Sequence, residues 1–476
     1  MTSSPHLHRR TLIRRSAAAG LTALPAMAAL SACASGGGGS GGGGKQQNAP
    51  GEVTERNPFG LTADSGVEVL IFNGGFEDQY ARDVGAVFEE HYGSVEHNAT
   101  EEISARVQAR MVSGNPPDMI NNSGADMMPL PALLKEGQVA DLRPLFDAPS
   151  WDDPAVKVRD TLLPGTVESG QYGGQEVYVL NYAFTVYGTW YSRKLLHDTL
   201  EEEYPQTWDQ MLAVCEKAKK QGIAGWTYAG HHARYLSFTM MPMMAKVGGP
   251  EVFDAIDRLE PGAWKQDAVV AVFEAYEEIA AKGYLLPGTP GINHTESQTE
   301  WAKNKALFLP CGTWLENESK ADIAPDAEIA VGAATGLDSS DALPFGTLYA
   351  TAGEPFIVPA DAAAPRAGME FLRIMLGRDA ARNFTEKVSS LTSVAGAADG
   401  LALPPGLTSA QEAVAAAGEN IVAPRFREWY PVFFSDVMGV AMGEMMAGDL
   451  TAAEALDRIQ AGADAVAADD SVEKYL

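Results

Sequence analysis

The segment that runs from VEVLIF at residues 67–72 to GNPPDMI at residues 114–120 decides the fold class. VEVLIF is a short apolar run, the pattern of a buried strand. Residues 78–92 and 101–111 follow with helical patterns, and the Gly-Asn-Pro-Pro breaker ends the second. The DMI that comes next predicts another strand. Strand, helix and strand in this order predict an α/β fold with a mostly parallel sheet covered by helices.

Helix signals continue through the rest of the chain. Residues 207–210 (TWDQ) form a capping-box signature for a helix that ends at Gly222. Residues 267–282 carry an apolar face and end at Gly283, and residues 451–464 predict a last helix. The sequence shows no internal repeat of 20–50 residues, so a solenoid is not expected.

Length and charge bound the class of protein. The chain has 476 residues, 46% of them hydrophobic, and a formal net charge of -28. Single hydrophobic cores stop growing at about 250–300 residues, so two or more lobes are expected. A strongly acidic surface repels phosphate backbones and anionic lipid headgroups, which excludes nucleic-acid binding and adsorption to a membrane surface.

The N-terminus predicts export and anchoring. HRRTLIR at residues 8–14 resembles a twin-arginine signal, and the apolar stretch at residues 16–32 is too short for a good spanning helix. LSAC ends at Cys33 and resembles a lipobox, in which the lipidated cysteine becomes the first residue of the mature chain. An ordinary cleavable signal with a chance cysteine is the alternative. SGGGGSGGGG at residues 35–44 predicts a flexible tether.

Several short segments then follow one another in a recognisable order. They are GNPPDMI (114–120), GTWYSRKL (188–195), PQTWDQ (205–210), KALFLPCGTW (305–314) and EMMAGDLTAAEALDRI (444–459). Together, behind the lipobox, they resemble the maltose-binding-protein-like extracellular solute-binding proteins of carbohydrate ABC transporters, over residues 58–465. Residues 177–191 and 426–431 resemble in particular the actinobacterial lipoproteins that bind N-acetylglucosamine and diacetylchitobiose. Ser192-Arg193 departs from the family pattern, which has Asn-Lys there.

The resemblance implies a periplasmic-binding-protein-like fold with two α/β lobes, each a mostly parallel sheet with flanking helices, joined by a hinge of several strands. It implies that a mono- or disaccharide binds in the cleft and that the lobes close on it. The implied partners are an ABC permease and a separate ATPase; a monomer without cofactor or catalytic activity is expected, held by Cys33 at the outer face of the cytoplasmic membrane. The expected parts are a signal peptide (1–32), a lipidated tether (33–56), lobe 1 (57–185 and 350–396) and lobe 2 (186–349 and 397–476).

Sugar chemistry selects the candidate binding residues. The apolar faces of a pyranose stack on aromatic rings, and its hydroxyls bond to carboxylates, guanidinium groups and amides. Trp314 matches a stacking position of maltose-type binding proteins, and Trp429-Tyr430 matches a second one. Core packing or turn chemistry is the alternative role for many of the candidates. The candidates are Asn73, Phe76, Asn122, Asp126, Asn181, Trp190, Trp226, Tyr228, Trp314, Glu354, Arg425, Trp429 and Tyr430.

Other readings of the sequence stay open. A secreted glycoside hydrolase would need two cleft carboxylates about 5–10 Å apart, and no short motif points to such a pair. A lipoprotein that binds sugar without serving a permease, and a binding protein for another oligosaccharide or a peptide, are further alternatives. Cys215 and Cys311 are either a disulfide or two buried thiols. His231-His232 lacks the H-E-x-x-H pattern, so no metal site is expected.

Overall fold

The computed structural model describes residues 51–74, 76–124 and 127–475. The predictions on the signal peptide and on Cys33 lie outside these residues, as does Asp126. The strands in chain order are β1 (Val67–Phe72), β2 (Val95–Thr100), β3 (Met119–Asn121), β4 (Leu180–Ser192), β5 (Ala224–Trp226), β6 (Ala306–Gly312), β7 (Ile329–Gly332), β8 (Leu348–Ile357), β9 (Leu391–Thr392) and β10 (Ile421–Val422).

Helices make up most of the remaining regular structure. The α-helices are α1 (Gln79–His91), α2 (Ile103–Val112), α3 (Leu130–Lys135), α4 (Arg143–Asp147), α5 (Thr166–Ser169), α6 (Trp208–Lys220), α7 (Ser237–Gly248), α8 (Val252–Asp257), α9 (Asp267–Ala281), α10 (His294–Ala302), α11 (Leu315–Glu318), α12 (Pro365–Met375), α13 (Arg378–Val388), α14 (Pro405–Ala417), α15 (Phe426–Trp429), α16 (Gly439–Ala447) and α17 (Ala452–Ala468). Short 3₁₀ and π turns lie at Val158–Thr161, Lys194–Thr199, Gly230–Leu236, Ala263–Lys265, Thr289–Gly291 and Phe433–Met438. Within the described ranges, no helix is both long enough and apolar enough to cross a bilayer.

The strands are paired in the order β2-β1-β3-β8-β4-β6-β5. β1 pairs in parallel with β2 and β3 at one end, and β5 pairs in parallel with β6 at the other. The two longest strands, β4 and β8, run antiparallel to each other in the middle, from Leu180 opposite Phe356 to Tyr187 opposite Tyr349. The predicted α/β class is confirmed, and the antiparallel pairing is confined to strands next to these two.

The two halves of this sheet carry separate hydrophobic cores. One core includes Val69, Phe88 and Phe371, and we call the part of the chain around it the first lobe. The other is larger and includes Trp208 and Met442, and the part around it is the second lobe. β4 and β8 pass from one lobe to the other, so they form the connection that the resemblance implied.

Local sequence signals account for most of these elements. In the capping box of α6, the Thr207 hydroxyl accepts a bond from the N–H of Gln210 at 3.4 Å, and the Gln210 side chain accepts one from the N–H of Thr207 at 3.3 Å. The helices predicted at 78–92, 101–111, 267–282 and 451–464 are α1, α2, α9 and α17. β2 was not among the predicted strands because VEHNAT is a partly exposed edge strand without an apolar run.

The first lobe buries one ion pair. Arg373 and Glu370 on α12 are 1% and 0% exposed, and their closest contact is 2.7 Å. Arg373 also donates to the backbone carbonyls of Pro149 at 3.2 Å and Arg56 at 3.1 Å. Tyr92 donates to Glu370 at 2.9 Å. The pair therefore joins α12 to three distant segments.

Cys215 and Cys311 are both free thiols buried in the protein, not a disulfide.

Candidate ligand-binding cavity

A cavity of about 1380 Å³ lies between the lobes, beside the crossing strands. The first lobe contributes the loop after β3 and the residues before β4. The second lobe contributes the start of α7, residues 425–437 and the end of the chain. Small-molecule sites in proteins measure about 300–1,000 Å³. This cavity therefore has room for a ligand larger than one small ring.

Three aromatic rings line one side of the cavity, those of Tyr187, Tyr235 and Phe238. We call these three residues the aromatic wall. The ring centroid of Phe238 lies 4.5 Å from that of Tyr187 and 4.8 Å from that of Tyr235. Behind the wall, Tyr349 stacks on Tyr187 at 4.5 Å with an interplanar angle of 21°. Side chains alternate along a strand, so Thr185 and Tyr187 of β4 face the cavity together.

Trp314 supports this wall from outside the cavity lining. Its ring makes edge contacts with Tyr187, Tyr235 and Phe238 at centroid distances of 5.7, 6.0 and 5.8 Å. The ring folds back over Gly312, where a Cβ atom would lie 2.1 Å from a ring carbon. The glycine of the Gly-Thr-Trp segment is therefore required by the position of the tryptophan two residues later.

We expect Gly312→Ala to destabilise the protein by about 1–3 kcal/mol, because the added methyl must displace the Trp314 ring from a packed position. Denaturant unfolding of the mature protein measures this. Gly346→Ala is the matched control, since no atom lies within 4 Å of its added Cβ and its backbone angle is an ordinary one. Equal stability of the two variants would contradict the role assigned to Gly312.

Arg427 covers the wall from the second lobe. It donates to the Tyr187 hydroxyl at 3.1 Å, and its guanidinium lies 5.0 Å from the Tyr187 ring centroid and 5.6 Å from that of Tyr349. It also donates to Glu428 at 2.7 Å. The result is an amphipathic surface, flat and apolar on the rings and cationic above them.

Glu354 lies where β8 passes the cavity. Its φ of 58° is in the left-handed region, which costs a non-glycine residue about 1–3 kcal/mol. Its carboxylate accepts a bond from the Ser123 hydroxyl at 2.9 Å. Burial raises the pKa of the Glu354 carboxyl, and the polar contacts of Asn121 and Ser123 oppose that rise. Because this strained residue also lines the cavity, Glu354 is a candidate for contact with a ligand.

Two of the three predicted asparagines, Asn122 and Asn181, line the cavity and also bond to its framework. The Asn122 side chain donates to the carbonyl of Met128 at 3.0 Å and accepts from its N–H at 2.8 Å. Asn181 donates to the Ser169 hydroxyl at 2.9 Å. Asn122 therefore shapes the loop after β3. The amide oxygen of Asn181 accepts no hydrogen bond from the residues that the structure describes, so it is able to accept one from a ligand.

Three predicted aromatic residues are buried in hydrophobic clusters instead: Trp226 and Tyr228 in the core of the second lobe, and Trp190 in a separate cluster with Leu309 and Leu315. Trp190 is 0% exposed and donates to the carbonyl of Cys311 at 3.1 Å. It lies an odd number of residues from Tyr187 on β4, so its side chain points to the opposite face of the strand. Trp226 packs against Phe308 at 5.7 Å, and Tyr228 is 1% exposed. Packing, the alternative considered for Trp190 and Trp226, accounts for all three residues here.

Asn73 and Phe76 also lie away from the lining. Asn73 is exposed, with its N–H bonded to the carbonyl of Thr100 at 2.9 Å. Phe76 makes an edge contact with Phe384 at 5.3 Å on the outside of the first lobe's core. The structure thus brings together Asn122, Asn181, Glu354, Arg425, Trp429 and Tyr430 at the cavity. The sequence analysis did not select Tyr187, Tyr235, Phe238 or Arg427.

Comparisons with known proteins agree with this architecture. The sequence profile of the family described as bacterial extracellular solute-binding protein matches residues 75–382. The diacetylchitobiose binding protein NgcE of Streptomyces coelicolor is 34% identical over 473 residues, which cover 98% of each chain. A solved structure titled chitin oligosaccharide binding protein has a TM-score of 0.64 at 17% identity, covering 86% of this chain and 100% of that one. A probable secreted solute-binding lipoprotein from Streptomyces coelicolor has a TM-score of 0.67 at 15% identity, covering 83% and 98%.

Proposed function

Because the chain belongs to the family of bacterial extracellular solute-binding proteins, we propose that its cavity captures N,N'-diacetylchitobiose or N-acetylglucosamine for an ABC importer. The identity of 34% with a diacetylchitobiose binding protein extends over nearly the whole of both chains. A relationship of that extent includes the cavity as well as the fold. This observation carries the choice of ligand.

The shape of the cavity supports a sugar of more than one ring. Its volume of about 1380 Å³ lies above the range of about 300–1,000 Å³ for small-molecule sites, so it has room for more than one sugar ring. Within the aromatic wall, Tyr187 and Phe238 are largely buried, whereas the half-buried Tyr235 offers more of its ring to the C–H faces of a pyranose. Arg427, with donors left beyond Tyr187 and Glu428, is placed to bond to hydroxyl or acetamido oxygens next to that wall.

We propose that the protein acts by binding and release rather than by catalysis. Glycoside hydrolysis uses two carboxyl groups with distinct protonation roles on either side of the scissile bond. Two carboxylates of the cavity lining already accept a hydrogen bond within the protein: Glu354 from Ser123, and Glu428 from Arg427. Glu428 is thereby held ionised beside a cation, which favours a binding site over a hydrolytic pair.

The proposal includes the cellular setting predicted from the sequence. A twin-arginine signal directs export, a lipid on Cys33 anchors the chain, and the Gly/Ser tether lets a monomeric body meet its permease at the outer face of the membrane. A separate ATPase drives transport. In the cavity, Asn181, Glu354, Trp429 and Tyr430 are proposed to contact sugar together with the aromatic wall.

Calorimetric titration of residues 53–476 with N-acetylglucosamine, diacetylchitobiose, maltose and cellobiose tests the proposal. We expect micromolar or tighter binding of the first two, recovery of intact sugar afterwards, and at least tenfold weaker binding of maltose and cellobiose. If a protein that unfolds cooperatively binds none of the four sugars, the proposed ligand is wrong. Recovery of cleaved sugar would instead support a hydrolase.

A further inference from the structure

The sequence predicts Arg425 as a partner of sugar hydroxyls, but its guanidinium is bonded to the backbone of the other lobe. Its Nη2 donates to the carbonyls of Ser169 and Gln171, both at 3.0 Å, and its Nη1 donates to the carbonyl of Glu168. These carbonyls end the short helix α5 and begin the loop after it. Val167 of that helix packs on the first lobe's core. Carbonyls at a helix end lack intrahelical partners and attract a cation.

The backbone of Arg425 is fixed from behind by the second lobe. The Asp257 carboxylate accepts bonds from the N–H groups of Arg425 at 2.9 Å and Phe426 at 2.8 Å. Phe426 is 0% exposed and packs edge-on against Trp264 at 5.3 Å. The side chain thus extends from a rigid base in one lobe to a backbone segment of the other.

Aromatic rings next to Arg425 complete the contact between the lobes. Its guanidinium lies 5.2 Å from the ring centroid of Trp429. Trp429 is 5.7 Å from Tyr475, and Tyr475 makes an edge contact with Tyr172 at 5.3 Å. Tyr172 packs against cores of both lobes. We call Arg425, Trp429 and Tyr475 of the second lobe, with residues 168–172 of the first, the interlobe clasp.

We propose that Arg425 is a positioning residue that holds the lobes closed over the ligand, rather than a residue that contacts the sugar. Its guanidinium already donates to three carbonyls, which leaves little capacity for a ligand. Contacts that are more complete in the closed form than in the open form favour closure, while they still restrain residues 168–172 in the fraction of the protein that is closed without ligand. A protein whose closed form is less populated loses apparent affinity for every ligand by one common factor. A residue that contacts sugar would instead change affinity by a factor that depends on the sugar.

The test compares wild type, Arg425→Ala and Arg425→Lys as the mature protein. It rests on the proposed function only for its choice of titrants, N-acetylglucosamine and diacetylchitobiose. We expect Arg425→Ala to weaken both sugars by the same factor, about tenfold, with the unfolding midpoint of the ligand-free protein unchanged. Arg425→Lys should recover only part of the loss, because an ammonium cannot span three carbonyls as a guanidinium does. Arg382→Ala serves as the control, since Arg382 lies on α13 and belongs neither to the clasp nor to the cavity lining.

Hydrogen exchange of residues 166–172 gives a second readout that needs no particular sugar. We expect these amides to exchange faster in Arg425→Ala than in wild type, with the rest of the first lobe unchanged. Factors that differ more than threefold between the two sugars, or equal exchange in the two proteins, would overturn the clasp. Failure of wild type to bind either sugar would overturn the proposed ligand alone, and the exchange experiment would then decide the clasp.

Discussion

Replacing Tyr187 by alanine should weaken the binding of diacetylchitobiose about a hundredfold. Tyr187 belongs to the aromatic wall, with Phe238 and Tyr349 each 4.5 Å away and the Arg427 guanidinium 5.0 Å from its ring centroid. The substitution removes two ring contacts that keep the wall in shape and the hydroxyl that positions Arg427. The neighbouring rings and the guanidinium then lose their geometry toward the sugar. About 2.7 kcal/mol corresponds to the hundredfold loss.

Two further variants separate the ring from its hydroxyl and from general effects on the strand. Tyr187→Phe keeps the ring but removes the acceptor for Arg427, so an intermediate loss of about tenfold is expected. Tyr191→Phe changes a tyrosine on the same strand whose ring contacts Tyr204 at 4.7 Å, outside the cavity lining, and should leave affinity unchanged. Calorimetry measures all three. A Tyr187→Ala protein within threefold of wild type would place the sugar elsewhere in the cavity.

Arg373→Ala should lower the free energy of unfolding by about 3–5 kcal/mol, the cost of removing one partner of a buried ion pair. The substitution leaves the Glu370 carboxylate with no cation in a position that is 0% exposed. It also leaves the carbonyls of Arg56 and Pro149 without their donor. Denaturant titration followed by circular dichroism measures the loss.

Removing both charges distinguishes the burial of an unpaired charge from the loss of packing. Replacing a buried pair by apolar residues of similar size is often neutral, so Arg373→Met combined with Glu370→Leu should recover much of the loss. Arg382 pairs with Glu386 at 3.7 Å on the surface and donates to the carbonyl of Asp399 at 2.8 Å, so Arg382→Ala should change stability by no more than about 1 kcal/mol. An Arg373→Ala protein as stable as Arg382→Ala would contradict this account of the first lobe.

The elements that could be predicted are those whose signals are local. The capping box at Thr207 and Gln210 and the apolar run of β1 each identify their element within a few residues. β2 has no such signal, because an edge strand needs no apolar run and pairs only through its backbone with β1. Its presence depends on the sheet beside it.

The cavity lining was harder to predict because it depends on which way each ring points. Tyr187 and Trp190 lie on the same strand and are both aromatic, yet one faces the cavity and the other the core. The two differ because side chains alternate between the two faces of β4, and the pairing of β4 with β8 fixes which face is turned to the cavity. Arg425 shows the same limit for contacts, since its carbonyl partners at residues 168–171 lie more than 250 residues earlier in the chain. The type of a residue indicates which interactions it can make. Which distant residue it contacts becomes known only from the folded structure.

The pairing of β3 with β8 means that the sheet cannot be completed early in the synthesis of the chain. Ile120 is opposite Ile357, so the ribosome must add more than two hundred residues before β3 meets this neighbour. At about 5–20 residues per second, that wait lasts roughly 10–50 s. During it, one side of β3 has exposed N–H and C=O groups that any other extended chain can pair with. The nascent protein is therefore most vulnerable to aggregation while its second lobe is being translated. This period comes well before Tyr475 is added to the chain.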